Sequence, residues 1–450
     1  MTNSDWSSDV CSSDLFSGGN PLFGFANFLL LALFAAAVFD LIFALARGSG
    51  LRGALHGLWN TPHLLFGQQL AEWRLQLGRI LFAAGLAAYE ISVVFCNSMA
   101  RQNWAWVQGV MSPVLEWLAF LCFGAKILFG TRYTWRELLA GGALYFIARW
   151  VYFNSQNIWW IGIVVAVLAA KDVPLRRPLQ VYFASGCAAM AVVLALHFAG
   201  IVAPDLTSER MGALRGTYGY GHPNTFGGLV FGLVLAYALL RAQKVRWVDC
   251  LLVFAVGVFL LVGPASRSAA LCTLALAVGL VFCRLRAGHS VPRWWPGTCA
   301  GMVGLTAAVS YLLPLLVIKV GPWNNDIGPA WLAKLDSLLT CRISLTWMAY
   351  RLLDVKIAGQ VFNWPTVDNS FAFALFQFGP VVAALLGILF AAALWGHAKQ
   401  GRRVEVCCLF AMLAYAYMEV QPFHLTTNPT ALLLCGAVFA QTSARWQKIE

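Results

Sequence analysis

Arg215-Gly-Thr-Tyr-Gly-Tyr-Gly221-His222-Pro223-Asn224-Thr-Phe-Gly227 is the run whose residue types and spacing best suit chemistry. Its alternating glycines let a backbone pass close to a ligand. Pro223 starts a helix that Asn224 and Thr225 are able to cap, and a helix N-terminus attracts an anion. Two further patterns carry charge against an apolar background: Ser266-Arg267-Ser268, and Asp368-Asn369-Ser370. Cys341-Arg342-Ile343-Ser344 and the late Glu419 add one more cation and one more acid. A guanidinium presents a planar fork that gives phosphate oxygens two parallel hydrogen bonds. Arg215, Arg267 and Arg342, with Asn224, therefore read as candidates for binding a diphosphate. Asp368, Glu419 and His222 are the candidates for a proton-accepting base, while Gly221, Pro223 and Asn369 shape the loops. Each has a structural alternative. The arginines can lie at an interface with their heads in water, the glycine-rich run can be a capped helix start, and Asp368 can simply cap the next helix.

The elements that must position these residues are hydrophobic helices. Apolar residues make up 60% of the 450 and charged residues only 11%; mean hydropathy is +0.71. Soluble domains carry about 25% charged residues, so so little charge cannot cover a water-facing surface. The expected fold is an all-α, polytopic transmembrane bundle of twelve or thirteen spans. Each is about 20 residues long and helical, because lipid leaves backbone groups no partner outside the segment. Spans are expected near 22–46, 80–100, 108–130, 137–153, 156–171, 179–200, 225–241, 247–263, 267–285, 297–318, 370–395, 404–419 and 428–442. Residues 22–442 thus form one transmembrane domain. Residues 1–15 are polar, rich in Ser and Asp, and resemble a translated sequencing adapter, so the true start is expected to be lost.

Alternate connections hold 21 of the 31 Lys and Arg residues in small clusters, among them Lys126/Arg132/Arg136, Lys171/Arg176/Arg177 and Lys399/Arg402/Arg403. By the positive-inside rule those connections are cytoplasmic and the N-terminus is outside. The same scatter excludes a nucleic-acid stripe despite the net charge of +12. Ten cations remain on the opposite face, including Arg101, Arg149, Arg215, Arg267, Lys319, Arg342 and Arg351. That face also carries the longest connection, 319–369, whose Trp323, Trp331, Leu335 and Leu345 suggest short interfacial helices. Intramembrane Glu90 and Glu116 are expected to pair with Arg101 or Arg149, or to serve a function. The twelve cysteines, mostly inside apolar segments and without metal-site spacing, predict no disulfide framework and no metal.

The series RxxxGYGHPNxxG, SRSA, an Arg in a large loop, then DNSF before a glycine-containing span resembles the O-antigen ligase and polymerase-like superfamily. In architecture the resemblance extends over roughly residues 80–440. It implies a bacterial inner-membrane glycosyltransferase, active on the extracytoplasmic face, with no cofactor and no nucleotide sugar. The donor would be an undecaprenyl-diphosphate-linked glycan, met among membrane lipids. The acceptor would be a second glycan, and a chain-length regulator would be a partner. Ligases of the superfamily use a histidine in the large outer loop. This sequence has none between 319 and 369, leaving His222 and His424 on that face. The departure favours a polymerase of O-antigen or exopolysaccharide repeat units. The alternatives are a ligase that passes glycan to lipid A core or to protein, and a polysaccharide or lipid transporter.

Overall fold

The computed structural model describes residues 21–48, 50–202, 208–210, 213–317, 328–339, 341–362 and 364–439. The expected adapter-like leader, Lys319 and the following residues to 327 lie outside that set. The described residues are mostly helical. Helices α1 (Pro21–Ala46), α2 (Leu51–Asn60), α3 (Ala71–Cys96), α4 (Ala100–Asn103) and α5 (Ser112–Phe129) come first. They are followed by α6 (Trp135–Ser155), α7 (Ile158–Ala169), α8 (Arg176–Phe198), α9 (Pro223–Leu240), α10 (Trp247–Val262), α11 (Arg267–Leu285) and α12 (Trp295–Leu312). Short α13 (Ala330–Leu338), α14 (Arg342–Leu352) and α15 (Ser370–Phe373) precede α16 (Pro380–Lys399), α17 (Arg403–Met418) and α18 (Cys435–Val438). Two antiparallel ribbons interrupt the helices: β1 (His63–Leu64) with β2 (Arg132–Tyr133), and β3 (Ser208–Arg210) with β4 (Ala213–Arg215).

Among the described residues, eight helical segments are long and apolar enough to cross a membrane. Helices α7 and α10 are apolar but shorter. Three expected spans differ in form. The stretch expected at 80–100 begins already at Ala71 and ends at Cys96, because the helix carries its polar first turns, with Glu72 and Arg74, beyond the apolar run. The segment expected to run unbroken over 370–395 is split at Gly379. There the chain leaves a π-helical turn (Ala374–Phe378) with φ of +87°, and Pro380 opens α16. A Cβ on Gly379 would overlap the Ile357 carbonyl, so the close crossing of the 356–360 backbone forces both the glycine and the break. The last stretch, expected at 428–442, is a 3-10 run (Pro429–Leu434) capped by the single turn of α18.

Two compact units divide the chain. In the one containing residues 10–149, 160–203 and 431–450, α3 packs along α5 and α8. Two basic residues counted among the topology markers are tied up here. Buried Lys126 donates from Nζ to Thr131 Oγ1 at 2.6 Å and to the Lys171 carbonyl, and Lys171 Nζ meets Glu137 at 3.4 Å and Asp172 at 3.5 Å. Glu116 receives a long hydrogen bond from Ser92 Oγ at 3.5 Å, while Glu90 is buried on α3. Cys96 is disulfide-bonded, and the other described cysteines form no disulfide.

The other unit contains residues 150–159 and 204–430. Helices α10 and α11 pair, α12 lies on α16, and α17 packs against both α11 and α9. At the turn between α9 and α10, Asp249 accepts hydrogen bonds from Tyr237 Oη (2.6 Å), Arg241 (3.1 Å) and the Arg246 main chain (2.7 Å). That fixes α9 relative to α10, and every residue of the candidate site described below belongs to this unit.

Candidate functional site: a carboxylate hub at Glu419

Glu419 stands where α17 ends, in extended conformation (φ −142°, ψ 151°), and its side chain is 6% exposed. A carboxylate this deep must be paired and hydrogen-bonded to remain charged. Three donors from distant parts of the chain converge on its Oε1. Arg342 Nη2 lies at 2.8 Å, Ser268 Oγ at 2.8 Å and Asn224 Nδ2 at 3.2 Å. Ser370 Oγ binds the main-chain carbonyl of the same residue at 2.5 Å.

Local structure explains how each group arrives. Ribbon β3–β4 ends at Arg215, whose buried guanidinium gives Nη2 to Asn224 Oδ1 at 2.9 Å and to the Ala265 carbonyl at 3.3 Å. Asn224 is thus a relay, accepting from Arg215 and donating to Glu419. The cap of α9 is not Asn224 or Thr225 but His222, whose Nδ1 accepts the Asn224 main-chain N–H at 3.1 Å. His222 thus caps the helix that presents Asn224. Pro223 takes the first helical position, as the sequence predicts. A Cβ on Gly221 would meet nothing within 4 Å, whereas one on Gly227 would overlap the Ser266 side chain. Gly227 is what lets α9 approach the start of α11 closely enough for Asn224 and Ser268 to share one oxygen.

Arg342 opens α14 directly after Cys341, which sits at φ +65°. The buried carboxylate of Asp336, on α13, accepts from the main-chain N–H groups of Ile343 (2.7 Å) and Ser344 (3.2 Å) and from Ser344 Oγ (2.8 Å). This acid caps α14 from the preceding helix and aims Arg342. The guanidinium also gives Nε to the Met418 carbonyl at 2.6 Å. Desolvation works against its charge, but Glu419 and Asp368 outweigh that and hold it protonated more firmly than a free arginine.

Asp368 approaches the same guanidinium more loosely, with Oδ2 at 3.5 Å and a side chain 23% exposed. It does not cap the next helix. Asn369 does, accepting from Phe371 N (2.9 Å) and Ala372 N (3.1 Å) while its Nδ2 reaches Ser310 Oγ on α12 (3.2 Å). Burial raises the Asp368 pKa above the ordinary value, and Arg342 opposes the rise. Glu419 is the anchored acid of the pair and Asp368 the accessible one, so the proton-accepting role suits Asp368 better.

The sequence candidates are therefore brought together unequally. Arg215, Asn224, Arg342, Asp368 and Glu419 form one connected cluster. Arg267 is exposed at the first turn of α11, and the hydrogen bond to Glu419 from that motif comes from its neighbour Ser268. His424 is buried, its ring 3.9 Å from that of Trp159, and burial lowers its pKa to about 3. It is a neutral packing residue. No pattern in the sequence assigns these roles to Ser268, although it lies within Ser266-Arg267-Ser268, or to Asp336. Among the described residues no three His, Cys, Asp or Glu side chains group to hold a metal ion. No protein-family model, curated protein or solved structure matches the chain.

Proposed function

We propose that this protein is a polytopic membrane glycosyltransferase that polymerises undecaprenyl-diphosphate-linked oligosaccharide repeat units at the extracytoplasmic face of the bacterial cytoplasmic membrane. One observation carries the reading. The short motifs that suggested it, separated by as many as 204 positions between Arg215 and Glu419, meet in a single cluster of two arginines and two acids. The eight apolar helices support membrane integration, and the distribution of Lys and Arg supports the orientation.

In the reaction, an acceptor sugar hydroxyl attacks the anomeric carbon of the donor glycan. The new C–O bond forms as the bond to the diphosphate oxygen breaks, and the electron pair leaves with undecaprenyl diphosphate. Asp368 takes the hydroxyl proton. Arg342, with exposed Arg267 nearby in the motif series and Arg215 behind Asn224, stabilises the negative charge that grows on the leaving group. Glu419 keeps Arg342 in place. The absence of histidine from 319–369 favours chain growth over transfer to lipid A core. Membranes containing the protein, supplied with a defined lipid-linked repeat unit, are expected to yield a ladder of glycan lengths without added core. Product that forms only when lipid A core is supplied would establish the ligase instead.

A further inference from the structure

Arg342 is held by two carboxylates that are not equivalent. Nη2 lies 2.8 Å from Glu419 Oε1 and 3.5 Å from Asp368 Oδ2. Glu419 is 6% exposed and braced by Ser268, Asn224 and Ser370; Asp368 is 23% exposed, and its contact is an ion pair longer than a good charged hydrogen bond. A buried, multiply bonded carboxylate is costly to displace, whereas one held by a single long ion pair costs less to move. An incoming anion that meets Nη2 therefore competes with the more weakly held of its two carboxylates, Asp368.

We propose that Asp368 is a competitor for the donor diphosphate at Arg342, and that its displacement is what frees it to act as the base. This rests on the reading of the cluster as a diphosphate site. The charges fit such an exchange. A diphosphate arriving with Asp368 still in place meets an opposing carboxylate at the arginine it must reach. Moving Asp368 off the guanidinium removes the repulsion and leaves that carboxylate with its acceptor oxygens unengaged. Proton acceptance is thereby tied to donor occupancy. The acceptor hydroxyl gives its proton to Asp368, its oxygen bonds the anomeric carbon, and the diphosphate departs with the electron pair onto the arginine that Asp368 vacated. Without donor, the base stays neutralised.

The test is equilibrium binding of farnesyl diphosphate, and separately of inorganic pyrophosphate, to the purified full-length protein in detergent. Thermal unfolding serves as a check on folding. Asp368→Asn is expected to bind both ligands about fivefold more tightly than the unaltered protein, the scale of one weak ion pair released. Asp354→Asn removes an exposed acid from the same connection and is expected to leave affinity unchanged. In an Arg342→Gln background, the gain from Asp368→Asn is expected to vanish, because the two residues then share no interaction. Equal or weaker binding by Asp368→Asn overturns the competition, as does a gain that persists without Arg342. A gain confined to farnesyl diphosphate also overturns it, because the effect then lies with the isoprenyl chain. If neither the unaltered protein nor Asp368→Asn binds either ligand, the diphosphate reading itself fails, a result separate from the failure of competition.

Discussion

Glu419 does for Arg342 what no surface acid could do. It supplies a buried counter-charge whose own hydrogen-bonding needs are met by Ser268 and Asn224, and the pair survives burial because both sides are satisfied. Removing one side leaves the other charged and alone. Glu419→Ala is therefore expected to lower stability by about 3–5 kcal/mol, and Glu419→Gln, which keeps an acceptor oxygen, by clearly less. Unfolding of the purified protein in detergent, followed by tryptophan fluorescence, checks the order of the two. Equal stability of all three proteins would show that the hub does not hold the cluster. The charged members of this cluster were legible in the sequence because each is an ion in a strongly apolar chain and needs a reason to be there. Ser268 was not, since serine is common in packed helices and its role depends on α11 and α17 lying side by side. His222 was legible as a site residue but not as the cap of α9, because the motif offers Asn224 and Thr225 as more usual caps.

At the scale of elements, the site depends on three helix starts and one helix end. Helix α9 presents Asn224, α11 presents Ser268, α14 presents Arg342, and α17 terminates at Glu419. Asp336 is the hinge-pin of the third. Without it, two main-chain N–H groups at the start of α14 lose their acceptor. Asp336→Ala is expected to cost about 1–2 kcal/mol and to reduce chain growth in membranes, with Asp336→Asn retaining more of both. Undiminished polymer from a folded Asp336→Ala protein would remove Asp336 from the account. Most of the long helices could be read from apolar length alone, because eight of them among the described residues carry apolar runs long enough to cross a membrane. The break at Gly379 could not. Residues 370–395 are mostly apolar, and what interrupts them is the backbone of residues 356–360, brought in from the preceding connection. The final apolar stretch likewise turns into 3-10 structure over Pro429–Leu434 under packing that a local pattern does not register.

For the whole molecule, orientation is the property on which the functional reading depends. A diphosphate-linked donor displayed outside the cytoplasm is useful only if the connection bearing Arg342 and Asp368 faces the same way. Cys341, exposed beside Arg342, is a native reporter. A membrane-impermeant maleimide added to intact spheroplasts is expected to label it, with the signal lost in Cys341→Ser; labelling only after permeabilisation would reverse the topology. Lys126 and Lys171, both counted in the clusters that set this orientation, are buried and paired internally. The central claim is that the Glu419-held cluster performs glycan transfer. Its most direct test is the length distribution of glycan made from a defined lipid-linked repeat unit by folded, membrane-inserted Arg342→Gln and Asp368→Asn proteins. The account predicts a ladder from the unaltered protein and only the single unit from either variant; a full ladder from both variants would contradict it.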